Sequence, residues 1–338
     1  MPLATTELQR RLAALPRFHL TDLPTPLHEL PNLRVELGGP RLFMKRDDLT
    51  HSALGGNKNR KFQFEVGDAL ARGCDVLVWG GGVAQSNHAR QCAAAARRAG
   101  IDVVVVLNRG PHGEAMQGNR LLMDLMDVDV RLTGRDEMFG TDDELDRVAN
   151  QLTAAGRSPY VVRYSPLTAV GYVECMIEIA DQCAARDVCP SHLYVASGGG
   201  TQAGLEVGRR ALGLDLAIRG FSPLRVEGGR APAMADIAQM CAGLLRLDIE
   251  IRPHELFNSD SMVGSDYAEP TSEGIDAIRL LARTEGIFLE PVYTAKAFAA
   301  LLRDINRGNI TKDDSVVFVH TGGTPLIFTY AEELGRRI

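Results

Sequence analysis

The chain has 338 residues, a formal charge of −6, 45% hydrophobic residues and 6% aromatic residues. That length holds two domains or one large α/β body with a smaller lobe, the composition excludes disorder, and the acidic balance excludes nucleic acid as a partner. The longest purely aliphatic run, Val103 to Leu107, falls far short of the roughly 20 residues of a membrane span, and charges stand near the N-terminus where a secretory signal would be apolar, so a cytoplasmic protein is expected.

Six cysteines lie scattered without a C-x-x-C pair and eight histidines without an H-x-x-x-H. Reduced thiols and no metal site are expected.

Taken in order, residues 1 to 40 carry a charged helical stretch, Thr6 to Ala14, and then Leu23-Pro24-Thr25-Pro26-Leu27, an extended entry fixed by two prolines. Arg41 to Asp48 reads as a strand. Gly55-Gly56-Asn57-Lys58-Asn59-Arg60-Lys61 follows and opens a helix with Phe62, Val66, Ala69 and Leu70 at helical spacing. Glycines let the backbone approach a planar ligand, and a lysine on a first helical turn sits in a positive potential that disfavours its own protonation. Lys58 is therefore suited to Schiff-base chemistry.

The apolar run Asp75 to Trp79 predicts a buried parallel strand ending in Gly80-Gly81-Gly82, followed by Gln85-Ser86-Asn87-His88. Helices and strands then alternate: Ala93 to Ala99, Asp102 to Leu107, Gly118 to Met126, Val128 to Leu132, Thr141 to Ala155, Tyr160 to Val162, Thr168 to Ala184 and His192 to Ala196. That rhythm predicts a doubly wound parallel sheet. Ser197-Gly198-Gly199-Gly200-Thr201-Gln202-Ala203-Gly204 carries a strand into a helix through a glycine loop suited to a phosphate monoester. It lacks the spacing of a dinucleotide site and the lysine of a nucleoside-triphosphate loop. A Pro/Gly-rich break at 220–232, a helix from Ala233, a less regular stretch from Ile249 to Met262 and a helix from Glu273 to Thr284 follow. The chain closes with Glu290-Pro291-Val292-Tyr293-Thr294-Ala295-Lys296, a helix, and the strand Ser315 to His320 leading into Thr321-Gly322-Gly323.

These five motifs, in this order, resemble the pyridoxal-phosphate enzymes that group D-cysteine desulfhydrase with 1-aminocyclopropane-1-carboxylate deaminase and L-cysteate sulfo-lyase. The resemblance spans nearly the whole chain. It implies pyridoxal 5'-phosphate as cofactor, the fold type II (tryptophan-synthase-β-like) architecture of two doubly wound domains, with residues 1–56 and 171–338 forming the large domain and 57–170 a small inserted one, and a homodimer. By motif, Lys58 is the lysine that joins the cofactor and moves the substrate's α-proton. Lys61 and Ser197, Gly198, Gly199, Gly200 and Thr201 hold the phosphate. Asn87 meets the ring hydroxyl, Ser86 and His88 the substrate carboxylate, and Tyr267 and Tyr293 are the active-site phenols, whose pKa a cationic cofactor can lower.

Thr294 and Thr321 bear on the reaction, because the cyclopropane deaminases usually carry glutamate and leucine there. A threonine at the pyridine nitrogen gives a weaker electron sink than a carboxylate, which favours β-elimination of a good leaving group. The expected reaction is therefore D-cysteine desulfhydrase-like, giving pyruvate, ammonia and sulfide, with L-cysteate sulfo-lyase and cyclopropane deaminase as alternatives. A binding protein that has lost catalysis is the reading from another class, and retention of the lysine, serine and tyrosines argues against it. Two departures bear on the substrate: Val162-Arg163-Tyr164-Ser165-Pro166 replaces a longer glycine-containing loop, where Arg163 or Tyr164 adds charge or bulk, and the 80–84 glycine stretch is longer than usual.

Overall fold

The computed structural model describes residues 2–110, 112, 115–136 and 140–335. Ten strands form two sheets among these residues. Strands β1 (Leu27–Glu29), β2 (Arg41–Arg46), β7 (His192–Ala196), β8 (Ala217–Phe221), β9 (Phe257–Ser259) and β10 (Ser315–His320) make a six-stranded sheet in the order β1-β2-β10-β7-β8-β9. Only β1 runs antiparallel. Strands β3 (Val76–Val83), β4 (Asp102–Asn108), β5 (Asp129–Leu132) and β6 (Pro159–Val161) make a second, all-parallel sheet in the order β5-β4-β3-β6.

The apolar strand runs follow from burial on both faces. Phe318, Met44 and Tyr194 pack beneath the helices Ser272–Glu285 and Thr294–Asn306, while Phe43, Val195 and Val317 on the other face meet Tyr172 and Met176 of the Leu167–Ala184 helix. In the second sheet Leu77 and Val105 face Phe62, Val66 and Ala93, and Val78 and Val104 face Leu145 and Val148.

Three differences from the sequence expectation have plain causes. Strand β3 does not stop at Trp79 but runs to Val83, because β4 keeps pairing alongside it through a bulge between Gly80 and Gly82. Strand β8 is Ala217–Phe221, where an arginine and a glycine interrupt the alternation that would have marked it. The short β1 and the Pro31–Leu37 helix sit in text whose prolines signal only extended chain.

Register sets the position of everything that follows. Strands β2, β10 and β7 are neighbours, with Arg46 beside His320 and Val319 beside Val195. Their carboxyl ends therefore deliver the segment leading to Lys58, then Thr321, then Ser197, side by side at one edge of the sheet. The Gly200–Leu212 helix reaches that edge by lying very close to Leu167–Ala184: a Cβ on Gly204 would stand 2.1 Å from the Ala169 carbonyl oxygen.

Beneath the Lys58 helix lies a buried ionic quartet. The Arg60 guanidinium, fully buried, donates to Asp47 at 2.7 Å and to Glu178 at 2.8 Å, and Lys45 reaches Glu178 at 2.6 Å. Thr25 and Tyr172 hydroxyls donate to the same Asp47 carboxylate at 2.8 and 2.6 Å. Burial opposes the charge on Asp47, but the charge of Arg60 and its hydrogen bonds outweigh it and hold the carboxyl below its ordinary pKa. Two cations balance two anions, so removing one leaves a buried charge uncompensated. Arg60→Leu is expected to cost about 3–5 kcal/mol of stability, read as a lower denaturant midpoint in Trp79 fluorescence. A loss of under about 1 kcal/mol would mean that the quartet contributes no more than a surface pair.

Candidate active site

A cavity of about 530 Å³ opens where the carboxyl ends of the two sheets face each other. Lys58, the first residue of its helix, lines it, and its Nζ has no hydrogen-bond partner among the described residues. Burial, with a contribution from the charge of Lys61, lowers the Lys58 pKa to about 7. The amine is thus about half neutral at physiological pH.

The glycines before Lys58 are dictated by backbone contact. A Cβ on Gly55 would lie 1.8 Å from the Asp48 carbonyl oxygen, and a Cβ on Gly322 would lie 2.5 Å from the Gly56 Cα. Both are left-handed, with φ of 72° and 86°. The close pass lets the Asn57 N–H donate to the Thr321 carbonyl at 3.0 Å, and the Asn57 amide donates to Thr201 Oγ1 at 2.9 Å. Three strand ends are thereby locked together around Lys58.

The expected site residues fall in place unevenly. Lys58, Lys61, Ser86, Asn87, His88, Tyr164, Ser197, Gly198, Gly199, Gly200, Thr201, Tyr267, Tyr293 and Thr321 all line the cavity, but Thr294 does not. Thr294 is fully buried behind Tyr293, and its hydroxyl bonds the Glu290 carboxylate at 3.1 Å and lies 2.9 Å from the Glu290 N–H. Its place at the substrate is therefore corrected. As the first residue of the Thr294–Asn306 helix it serves to hold the buried acid that caps that helix.

Ser86 is the N-cap of the Asn87–Ala99 helix, its Oγ accepting from the Ala89 N–H at 3.1 Å, and it lines the cavity as well. Its hydroxyl proton stays available to a ligand. The Ser197 hydroxyl is used inside the glycine loop, accepting from the N–H groups of Gly199 at 3.2 Å and Gln202 at 3.1 Å. Gly200 and Thr201, at the start of their helix, offer N–H groups with no intrahelical acceptor. Lys61 stands 3.7 Å from Glu65, and its charge faces the same cavity.

His88 packs edge-on to Phe62 at 5.4 Å and against Trp79 at 4.4 Å between ring centroids. Burial, then the charges of Lys61 and Lys58, push its pKa well below the ordinary value, so it is a neutral ring with an unpartnered Nε2. The two phenols meet directly, Tyr267 Oη to Tyr293 Oη at 2.6 Å. One hydroxyl donates to the other and leaves the acceptor's own proton free. Burial raises both, Tyr267 to about 12 and Tyr293 well above the usual phenol value, so the protein's own environment opposes the lowering expected from sequence.

Several cavity residues were missed. Asn57 stood inside the lysine motif and Trp79 at the end of a strand, so both carried a positional signal. Arg230 carried none: it lies in the irregular 220–232 break, yet lines the cavity and donates Nε to the Gly198 carbonyl at 2.7 Å, with no carboxylate in ion-pair range among the described residues. Arg163, by contrast, pairs with Asp142 at 3.2 Å and with Asp146, so its charge is neutralised at the rim. Glu290 is fully buried and accepts from the N–H groups of Val292, Tyr293 and Thr294 at 2.9, 2.9 and 2.6 Å. Burial raises its pKa to about 7 against the pull of those donors.

Because a neutral amine is the nucleophile, reductive methylation of cofactor-stripped protein by formaldehyde is expected to reach Lys58 with a pH midpoint near 7, well below the ordinary lysine value of about 10.4. Peptide mass mapping across pH 6–10 reads it. A Lys58 midpoint near the ordinary lysine value would refute the desolvation argument.

The family model described as "Pyridoxal-phosphate dependent enzyme" matches residues 19–322. The chain is 42% identical over 332 residues to a D-cysteine desulfhydrase of Yersinia pestis (strain Pestoides F), covering 96% of this chain and 98% of that protein. It is 40% identical over 328 residues to a D-cysteine desulfhydrase of Salmonella choleraesuis (strain SC-B67), covering 94% and 97%. Among solved structures, an "ACC deaminase homologue" superposes with a TM-score of 0.87 at 35% identity, covering 97% of this chain and 98% of that one. A fungal L-serine ammonia-lyase from Rhizomucor miehei shares the fold, with a TM-score of 0.63 at 19% identity over 94% of this chain and 98% of that one. The chain belongs to the family of pyridoxal-phosphate dependent enzymes.

Proposed function

We propose that the protein is a lyase that eliminates the β-substituent of a small amino acid, with D-cysteine as substrate and pyruvate, ammonia and sulfide as products. The observation that carries the reading is Lys58, an unpartnered, desolvated amine that lines one cavity together with the Gly200–Leu212 helix start and Thr321. The desulfhydrase relatives, each matched over nearly its whole length, supply the reaction class.

The residues present fit the cofactor. Gly200 and Thr201 present unused N–H donors, Lys61 adds a cation, and a Cβ on Gly200 would lie 2.5 Å from the Thr168 Cγ2, so only glycine leaves that turn open. These groups suit the phosphate. Asn87 would hold the ring hydroxyl and Thr321 the ring nitrogen. When bound, pyridoxal phosphate supplies the electron sink that makes the substrate's Cα–H acidic.

Lys58 Nζ, its pKa lowered by burial, takes that proton in its neutral form, and the Ser86 hydroxyl holds the substrate carboxylate. His88, neutral, contributes a hydrogen bond to the carboxylate and no charge. The Cβ–S bond then breaks with its electron pair on sulfur, and the free phenol proton of the Tyr267–Tyr293 pair protonates the leaving thiolate. Water releases pyruvate and ammonia from the enamine.

One observation favours a second substrate. Arg230 is a cation at the cavity without an acidic partner among the described residues, whereas Arg163, expected to add charge there, is already paired with two acids. A β-sulfonate such as cysteate would find its counter-charge at Arg230.

We also propose that residues 57–170 form the small inserted domain and 1–56 with 171–338 the large one. Confinement of the four-stranded sheet to Val76–Val161 supports this division. The same reading takes the protein as a cytoplasmic homodimer acting on a small amino acid, with neither membrane nor nucleic acid as partner. Among the described residues no helix is long and apolar enough to cross a membrane.

The test is keto-acid release from the D- and L-forms of cysteine, serine and cysteate, with β-chloro-D-alanine and 1-aminocyclopropane-1-carboxylate included. Fastest pyruvate release from D-cysteine or β-chloro-D-alanine is expected, and Lys58→Ala should abolish it. Faster 2-oxobutyrate release from the cyclopropane substrate would make the protein a deaminase, and silence on all substrates would favour a binding protein. Arg230→Gln should lower kcat/KM for cysteate by about 10-fold or more while changing that for cysteine by less than about 3-fold; equal losses would remove the sulfonate reading.

A further inference from the structure

Arg90 is fully buried, yet no carboxylate lies in ion-pair range of it among the described residues. Burial lowers its pKa to about 10, which still leaves it charged at neutral pH. Three oxygens receive its protons: Asn119 Oδ1 from Nε at 2.7 Å, the Gly55 carbonyl at 3.1 Å and the Ala53 carbonyl. A buried, unpaired guanidinium is costly, so its hydrogen bonds invite a functional account.

The donor count supplies one. A guanidinium has no acceptor, so the Asn119 atom facing Arg90 is the oxygen. A carbonyl has no donor, so the Asn119 atom 2.8 Å from the Gln85 carbonyl is the nitrogen. The two constraints agree. The second proton of Asn119 Nδ2 then goes to the side chain of Asn87 at 2.8 Å, and the receiving atom there is Oδ1. The usual ambiguity of an amide's orientation is thereby removed. Asn87 lines the cavity, and its Nδ2 has no protein acceptor among the described residues. Gly323 leaves room for it, since a Cβ there would stand 2.9 Å from that nitrogen.

We infer that Arg90 and Asn119 are positioning residues that fix the Asn87 amide with its N–H toward the ring oxygen of the cofactor, so that an anionic oxygen meets a donor and never an acceptor. This rests on the reading that Asn87 faces that oxygen. The same Arg90 braces the strained approach to Lys58, where Ala53 and Leu54 hold φ of 48° and 62°. A test must therefore separate orientation from bracing.

Asn119→Asp does so, because it keeps an oxygen for Arg90 and turns the donor to Asn87 and to the Gln85 carbonyl into an acceptor. Asn87 then turns to donate to the carboxylate introduced there and presents its own oxygen to the cavity. Loss of that donor would favour the protonated form of the bound cofactor's chromophore. The pH midpoint of the bound cofactor's visible absorbance should rise by about one unit, and cofactor affinity, read from quenching of Trp79, should fall by about 10- to 100-fold.

Asn87→Ala should move the midpoint in the same direction, and the Asn87→Ala/Asn119→Asp double variant should move it no further. An unmoved midpoint in Asn119→Asp beside a shifted one in Asn87→Ala, or additive shifts, would overturn the positioning role while leaving Asn87 at the ring. An unmoved midpoint in Asn87→Ala would overturn the placement of Asn87 and the inference with it. Should Asn119→Asp fail to fold, Asn119→Ala reads the same quantity: a shift of the Asn87→Ala sign supports the role, and none refutes it.

Discussion

Everything at the cavity depends on Gly56 and Gly322 passing at backbone contact. Because β2 and β10 are hydrogen-bonded neighbours in register, the loops leaving them must cross, and they do so with no room for a side chain. The Lys58 helix is thereby pressed against the strand ends, and the Arg60 quartet beneath it fixes its rotation. That combination buries the amine, which costs it its ordinary pKa and gives it a nucleophile's protonation state. The unusual chemistry of one lysine is thus a consequence of sheet register.

Much of this was legible in the sequence where a motif sat at a strand-to-helix junction. Gly-Gly-Asn-Lys, Gln-Ser-Asn-His, the 197–204 glycine loop and His-Thr-Gly-Gly each follow an apolar strand, and in a doubly wound fold such junctions converge. Residues that reach the cavity from other kinds of text were not legible. Arg230 lies in an irregular break, and nothing in its surroundings distinguishes it from a surface arginine. Strand β8 was hidden for a related reason: its Arg219 and Gly220 break the apolar pattern although both neighbours of the strand are in place. Thr294 shows the converse error. A motif fixes its place in the chain but not the direction of its side chain, and one helical residue beyond Tyr293 the hydroxyl turns into the core.

That correction changes the electronic argument. The weak electron sink was argued from two hydroxyls, and only Thr321 remains at the cavity, while Glu290 lies buried behind Tyr293. A Cβ on Gly323 would approach Glu290 Cγ at 2.7 Å and Asn87 Nδ2 at 2.9 Å, so the acid is near the site but not among the groups that line it. Its oxygens are spent on three backbone N–H groups and the Thr294 hydroxyl. An acid so occupied holds the backbone at Tyr293 from behind and does not line the cavity.

The phenol pair completes the logic from the other side. Two hydroxyls 2.6 Å apart share one proton between them, and burial raises both pKa values, so neither ionises easily in the protein's own field. One phenol proton is not committed within the pair, and both phenols line the cavity. The pair is therefore poised to give a proton rather than to take one, whereas Lys58, with its lowered pKa, is poised to take one. The same burial acting on an acid and on a base thus shifts their pKa values in opposite directions within one cavity, raising the phenols and lowering the amine.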